Sequence, residues 1–124
     1  MKKRQVYGCQ AGCPVESTLQ IISGKWKSVI LYHLFKQRLC HFGELHSAIA
    51  DCSRRMLALQ LRELEDDGII KKTIFSEIPL RTDYTLTEFG QTLRPVVASL
   101  EQWGIQYNRK RNRSADTQCS TFVD

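Results

Sequence analysis

One stretch constrains the fold more than any other. In SRRMLALQLRELEDDG, residues 53–68, a helical repeat stops at a glycine and a strand-like pattern begins directly behind it. At 100° per residue Leu57, Leu61 and Leu64 fall on one face with Met56 at its flank, and Arg55, Leu59 and Arg62 fall on the opposite face. Ser53 is suited to the N-cap and Gly68 to the C-terminal stop. The segments that follow, IIKKTIF (69–75) and RTDYTL (81–86), read as two antiparallel strands joined by SEIPL, with Pro79 near the tip. The charges on this helix run against its dipole. Arg54, Arg55 and Arg62 lie toward the front and Glu63, Glu65, Asp66 and Asp67 at the end, an order that costs about 0.3 to 1 kcal/mol per misplaced surface charge. A polyanion at the front of the helix reverses the sign of that cost.

The segments before it complete a small helical domain. PVESTLQIIS (14–23) places Val15, Leu19 and Ile22 at i, i+4, i+7, with Pro14 suited to a first turn and Gly24 to a stop. WKSVILYHLFK (26–36) is apolar on most sides, as a central helix should be, and FGELHSAI (42–49) sets Phe42, Leu45 and Ile49 on one side. Two short helices, a tight turn, a basic helix front and a hairpin with Lys71, Lys72 and Arg81 form the order of a winged helix-turn-helix. The expected class is mainly α (α+β), with a two-stranded β wing and N- and C-terminal dimerisation helices. Residues 87–107 return to helix, and Phe89, Leu93, Val96, Leu100, Trp103 and Tyr107 recur at spacings of 4, 3, 4, 3, 4. That seam suits packing along another helix, and a homodimer contact is the expectation. Pro95 falls on the opposite face and should bend the helix or interrupt one of its bonds.

Charge adds little by its total. The formal +5 resolves into Lys2, Lys3 and Arg4 at the front and, at the end, Arg109, Lys110, Arg111 and Arg113 less Asp116 and Asp124, while residues 5–107 carry 11 basic and 11 acidic side chains. The expected division is therefore a flexible basic N-terminus at 1–12, a folded domain at 13–108 and a polar disordered tail at 109–124. No apolar run approaches the roughly 20 residues of a membrane span, and MKKRQVYG lacks a signal peptide's apolar segment, so a cytoplasmic chain without membrane association is expected.

Cys9, Cys13, Cys40, Cys52 and Cys119 are odd in number and irregular in spacing, which suits thiols rather than a disulfide framework. Cys13, just before Pro14 at a helix start, is the best placed to react, with Cys9 as a resolving thiol or with Cys13 bonding across a dimer. Cys119 falls in the tail. Cys40, His41, His46 and Cys52 are zinc-ligand types without a tight ligand spacing, so no metal site and no cofactor is expected. No phosphate loop, nucleophile elbow or HExxH occurs, and His33 reads as a packed histidine, so an enzyme is not expected.

Taken together, CPVESTLQIISGKWKSVILYHL, HFGELHSAI, SRRMLALQLRELEDDGII, IPLRTDYTLTEFG and LRPVVASLEQWG make residues 13–104 resemble the HxlR-type bacterial transcriptional regulators, relatives of the MarR group. The resemblance implies a dimeric winged helix-turn-helix whose first and last helices pair the subunits, and control of nearby genes. It also implies a response to aldehydes, quinones or disulfide stress through the cysteine of the Cys-Pro segment, here Cys13. The chain departs from the family pattern in three places. Pro79-Leu80 stands where two prolines are common at the wing, Cys40-His41 and His46 stand where arginines are frequent, and Cys52 replaces an aliphatic residue and reads as a small buried hydrophobe.

The reading is a homodimeric regulator on a near-palindromic double-stranded DNA operator. Ser53, Arg54, Arg55 and Leu59 read or line the major groove, and Arg62, Lys71, Lys72 and Arg81 hold phosphates. A small electrophile or oxidant is the expected inducer. The alternatives are a regulator answering a non-covalent ligand or a metal, and an interaction module without specific DNA binding.

Overall fold

A computed structural model describes residues 13–76 and 78–112. The chain divides into two units, one ending at Gln91 and the other starting at Thr92. In the first, α1 (Cys13–Ile22), α2 (Lys27–Gln37), β1 (Leu39–His41), α3 (Phe42–Ala48), α4 (Arg54–Asp66), β2 (Ile70–Phe75), β3 (Arg81–Leu86) and α5 (Glu88–Gln91) follow one another. The second holds α6 (Arg94–Arg111).

The core gathers where the three apolar patterns converge. Ile30, Leu31 and Leu34 of α2, Leu45 of α3, and Leu57, Leu61 and Leu64 of α4 are buried with Ile69 and Ile70. Each such side chain contributes about 1.5 to 3 kcal/mol. Both ends of α4 form as expected. Ser53 Oγ accepts from the Met56 N–H at 3.0 Å. At the other end Gly68 takes φ +79°, and the N–H groups of Gly68 and Ile69 donate to Glu65 and Leu64 at 3.0 Å each. The left-handed position favours glycine, which has no Cβ to clash.

The expected two-stranded wing, β2 paired with β3, is present and belongs to a three-stranded sheet. Its order is β1-β3-β2, with Leu39, Cys40 and His41 opposite Thr85, Tyr84 and Asp83. A three-residue strand is too short to show alternation. It follows α2 without a glycine, because Arg38 itself takes φ +67° while its N–H donates to the Leu34 carbonyl at 2.8 Å. Asn or Gly is the usual choice for that conformation, so the stop carries no sequence signal.

The single helix expected over 87–107 is two. Pro95 stands in the first turn of α6, where a missing N–H costs nothing, and its ring excludes the helical placement of the carbonyl four residues back, that of Gln91, where α5 ends. Pro95 thus starts a helix instead of bending one. The six-residue seam is divided: Phe89 lies on α5, Leu93 caps α6, and Val96, Leu100, Trp103 and Tyr107 share α6. α6 continues past 108 to Arg111, its last turn carrying Arg109, Lys110 and Arg111, cations that suit a helix C-terminus.

Thr87 secures the short α5. Its hydroxyl donates to the Gly68 carbonyl at 2.7 Å and accepts from the Gly90 N–H at 2.8 Å. A Cβ at Gly90 would collide with the Ile69 carbonyl oxygen, so only glycine permits that approach.

One polar contact crosses the core. Lys27, only 4% exposed, places Nζ 2.6 Å from Glu63 Oε1. α2 thereby supplies the cation that the acidic end of α4 lacks. Glu63→Ala should leave the Lys27 ammonium buried without this partner and lower stability by about 2 kcal/mol, less than a fully buried pair because Glu63 is partly solvated. Lys27→Met should cost less, since its stem can occupy the same space. Urea denaturation of both variants checks this order.

Candidate nucleic-acid interface

The tight turn between α3 and α4, with the Cys52 N–H donating to the Ile49 carbonyl at 2.9 Å, directs the front of α4 outward. Burying Leu57, Leu61 and Leu64 leaves the opposite face in solvent. Ser53, Arg55, Met56, Ala58, Leu59 and Arg62 line one shallow depression there. Arg55 and Arg62 are exposed and carry no ion pair among the described residues, and Leu59 between them is 47% exposed. An uncompensated cation pair astride an apolar side chain matches the needs of a major-groove surface: charge for phosphate or guanine, and an apolar contact for a thymine methyl. Ser53 Oγ already serves the helix cap and keeps its proton free to donate.

Arg54 lies elsewhere. Its guanidinium sits 5.2 Å from the centroid of the Phe42 ring, and it lines a second cleft, of about 520 Å³, with His41 and the wing residues Pro79 and Arg81. The α4 arginines therefore serve two surfaces, a quarter-turn apart on the helix.

The wing also separates side chains that the sequence groups. Lys71 and Lys72 are consecutive strand residues and face opposite sides of the sheet, Lys71 paired with Thr85 and Lys72 with Tyr84. Both are exposed. Arg81 stacks 4.2 Å from the Phe75 ring and directs Nε to Asp83 Oδ1 at 3.3 Å. At the wing tip Ile78 is 99% and Leu80 70% exposed.

Asp83, Phe42 and Phe75 are contributors that sequence reasoning missed. The Asp83 side chain is 8% exposed and its Oδ1 also accepts from His41 Nδ1 at 2.5 Å. The Glu44 carboxylate holds the His41 N–H at 2.9 Å. His41 and Cys40 thus serve structure. His41 ties α3 to the wing root, and Cys40 is buried in β1.

Cys13 is the first residue of α1, and Cys9 and Cys119 lie outside the described residues. Cys52 is buried, as read from the sequence. Burial pushes both the Cys40 and Cys52 thiols up, helped at Cys40 by the nearby Glu44 charge. His33, edge-on to Tyr32 at 5.1 Å, is held below the usual imidazole range by burial and by Lys36. Among the described residues no three or more His, Cys, Asp or Glu side chains are grouped to hold a metal ion. No helix among them is long and apolar enough to cross a membrane.

Comparison with known proteins places this geometry. Residues 21–112 match the family model of the HxlR-like helix-turn-helix. The HTH-type transcriptional regulator YdeP of Bacillus subtilis (strain 168) is 50% identical over 98 residues, covering 77% of this chain and 74% of its own length. Among solved structures, HypR, described as a redox regulator, is similar in its oxidised form (44% identity, 74% of this chain and 94% of that chain, TM-score 0.69). The transcriptional regulator YodB from B. subtilis, in its reduced form, is 30% identical over 76% of this chain and 91% of that one, with a TM-score of 0.63. The matched family and relatives are transcriptional regulators, not enzymes.

Burial and raised thiol pKa values predict slow labelling of Cys40 and Cys52. Brief N-ethylmaleimide treatment of the native protein at neutral pH, read by peptide mass spectrometry, should leave both unmodified, and both should label fully in denaturant.

Proposed function

Because the chain belongs to the HxlR-like helix-turn-helix family of transcriptional regulators, we propose that it acts as a homodimer that binds an operator through the exposed face of α4 and changes its binding when thiols are oxidised. The observation that carries the DNA reading is the strip Arg55, Leu59 and Arg62, turned to solvent by the burial of the opposite leucines. In this role Arg55 reads a base edge, Leu59 touches a thymine methyl, and Arg62, Lys71, Lys72 and Arg81 hold phosphates. The acidic end of α4 then lies away from the DNA, so the helix's charge order becomes an orienting field. Such work belongs to the cytoplasm, where a bacterial chromosome lies.

A dimer suits the exposed apolar side chains. Trp103, Leu100 and Tyr107 of α6 are 64%, 48% and 45% exposed, and the Trp103 and Tyr107 rings stack at 5.4 Å. Leu19 of α1 and Phe89 of α5 are exposed as well. A second copy covering these side chains, and Leu93 and Val96 as well, would present two α4 helices to half-sites about one helical turn of DNA apart, hence a near-palindromic operator.

Support for the thiol reading comes from relatives. HypR is described in oxidised and reduced forms and YodB in reduced and diamide-treated forms. In this chain the proposed sensor, Cys13, is the first residue of α1. Cys9, or Cys13 of a second copy, would be its partner, and a small electrophile or oxidant the inducer.

Fluorescence anisotropy on a duplex selected by the protein tests both parts. Arg55→Ala should lose about 1 to 3 kcal/mol on that duplex and much less on a scrambled one; equal loss on both would contradict the base-reading role. Diamide should weaken or alter binding of the native chain, dithiothreitol should restore it, and Cys13→Ser should be indifferent. A Cys13→Ser protein that still responds would remove Cys13 from the switch.

A further inference from the structure

The cleft between the front of α4 and the wing brings two arginines from distant parts of the chain to one place, each already restrained. Arg54 lies over Phe42 at 5.2 Å and Arg81 over Phe75 at 4.2 Å. Arg81 has a second restraint in Asp83, at 3.3 Å, and that carboxylate is fixed in turn by His41 at 2.5 Å. Both arginines line the same open space of about 520 Å³.

A guanidinium presents a planar fork of donors that matches a phosphate, and a fork held by packing loses less freedom when it binds. Among the described residues, the acidic groups beside the cleft are engaged: Asp83 with His41 and Arg81, and Glu44 with the His41 N–H. A seat with two restrained guanidinium groups and mixed apolar walls suits one singly charged phosphodiester. Arg54 also precedes Arg55 directly, so a DNA strand whose base edge meets Arg55 runs its backbone past the cleft.

We propose that this cleft seats a single phosphodiester of the DNA backbone, gripped jointly by Arg54 and Arg81, with Asp83 as the positioning residue that sets Arg81. The inference rests on the DNA-binding reading above and moves Arg54 from base reading to backbone binding. One phosphate shared between α4 and the wing fixes the two elements to the same point of the duplex.

The test is a methylphosphonate scan, in which each phosphate of the selected duplex is neutralised in turn and affinity is measured by anisotropy. The native chain, Arg54→Gln, Arg81→Gln and the double variant are compared, with thermal midpoints confirming that each is folded. One position per half-site should weaken the native chain about tenfold and leave the double variant unaffected, an interaction on the scale of one charge-assisted contact. Arg54→Gln and Arg81→Gln should weaken selected and scrambled duplexes alike. The double variant should lower the salt slope by about 0.9, the value for one phosphate, and not twice that. Asp83→Asn should lose part of the effect at the same position and Asp83→Glu should restore it. Separate sensitive positions for the two arginines, no such position at all, or a loss from Arg54→Gln confined to the selected duplex would overturn the shared seat while leaving DNA binding intact. A native chain with no salt-dependent affinity for any duplex would overturn both.

Discussion

The burial of one face of α4 is the constraint on which the rest of the molecule depends. Leu57, Leu61 and Leu64 are withdrawn from solvent beside Ile30, Leu31 and Leu34 of α2, and that single choice turns Arg55, Leu59 and Arg62 outward. Rotation of α4 by one residue, about 100°, would expose leucines and bury arginines, so the apolar seam sets which face meets solvent. The Lys27–Glu63 contact acts on the same junction. It gives the C-terminal part of α4 a cation from α2, while Arg55 and Arg62 toward its front have no ion pair among the described residues. A charge order that disfavours the helix in isolation is thus relieved at one end within the fold and left open at the other.

The wing is joined to this platform through side chains as well as through the sheet. β3 lies between β1 and β2, and Asp83 opposite His41 brings the wing root to the start of α3. Placing a carboxylate at 8% exposure is costly unless it is hydrogen-bonded, and Asp83 has both His41 and Arg81. The same contacts aim Arg81, so the group that stabilises the wing root also prepares a charged side chain at its edge.

Much of this was legible in the residues, and the reasons for the failures are physical. α4 was bounded correctly because both its ends use side chains and backbone freedom that only certain residues supply, Ser53 and Gly68. The outward strip followed from its leucine repeat. β1 was missed because three residues show no period and because Arg38 occupies a left-handed position without being glycine. The break before α6 was misread because a proline is compatible with a kink or a first turn, and only the end of α5 at Gln91 decides between them. Lys27 with Glu63 and His41 with Asp83 join positions 36 and 42 residues apart, and no local pattern marks such pairs. The placement of Arg54 over Phe42 was equally hidden, since it depends on how α3 meets α4.

The central claim is that paired α4 faces lie in successive major grooves, and guanine N7 methylation interference on the selected duplex tests it most directly, because N7 is exposed only in the major groove. The account predicts two clusters of interfering guanines, centred about 10 base pairs apart and related by the operator's dyad. Binding that is indifferent to N7 methylation throughout the site, or one cluster without a symmetric partner, would contradict it.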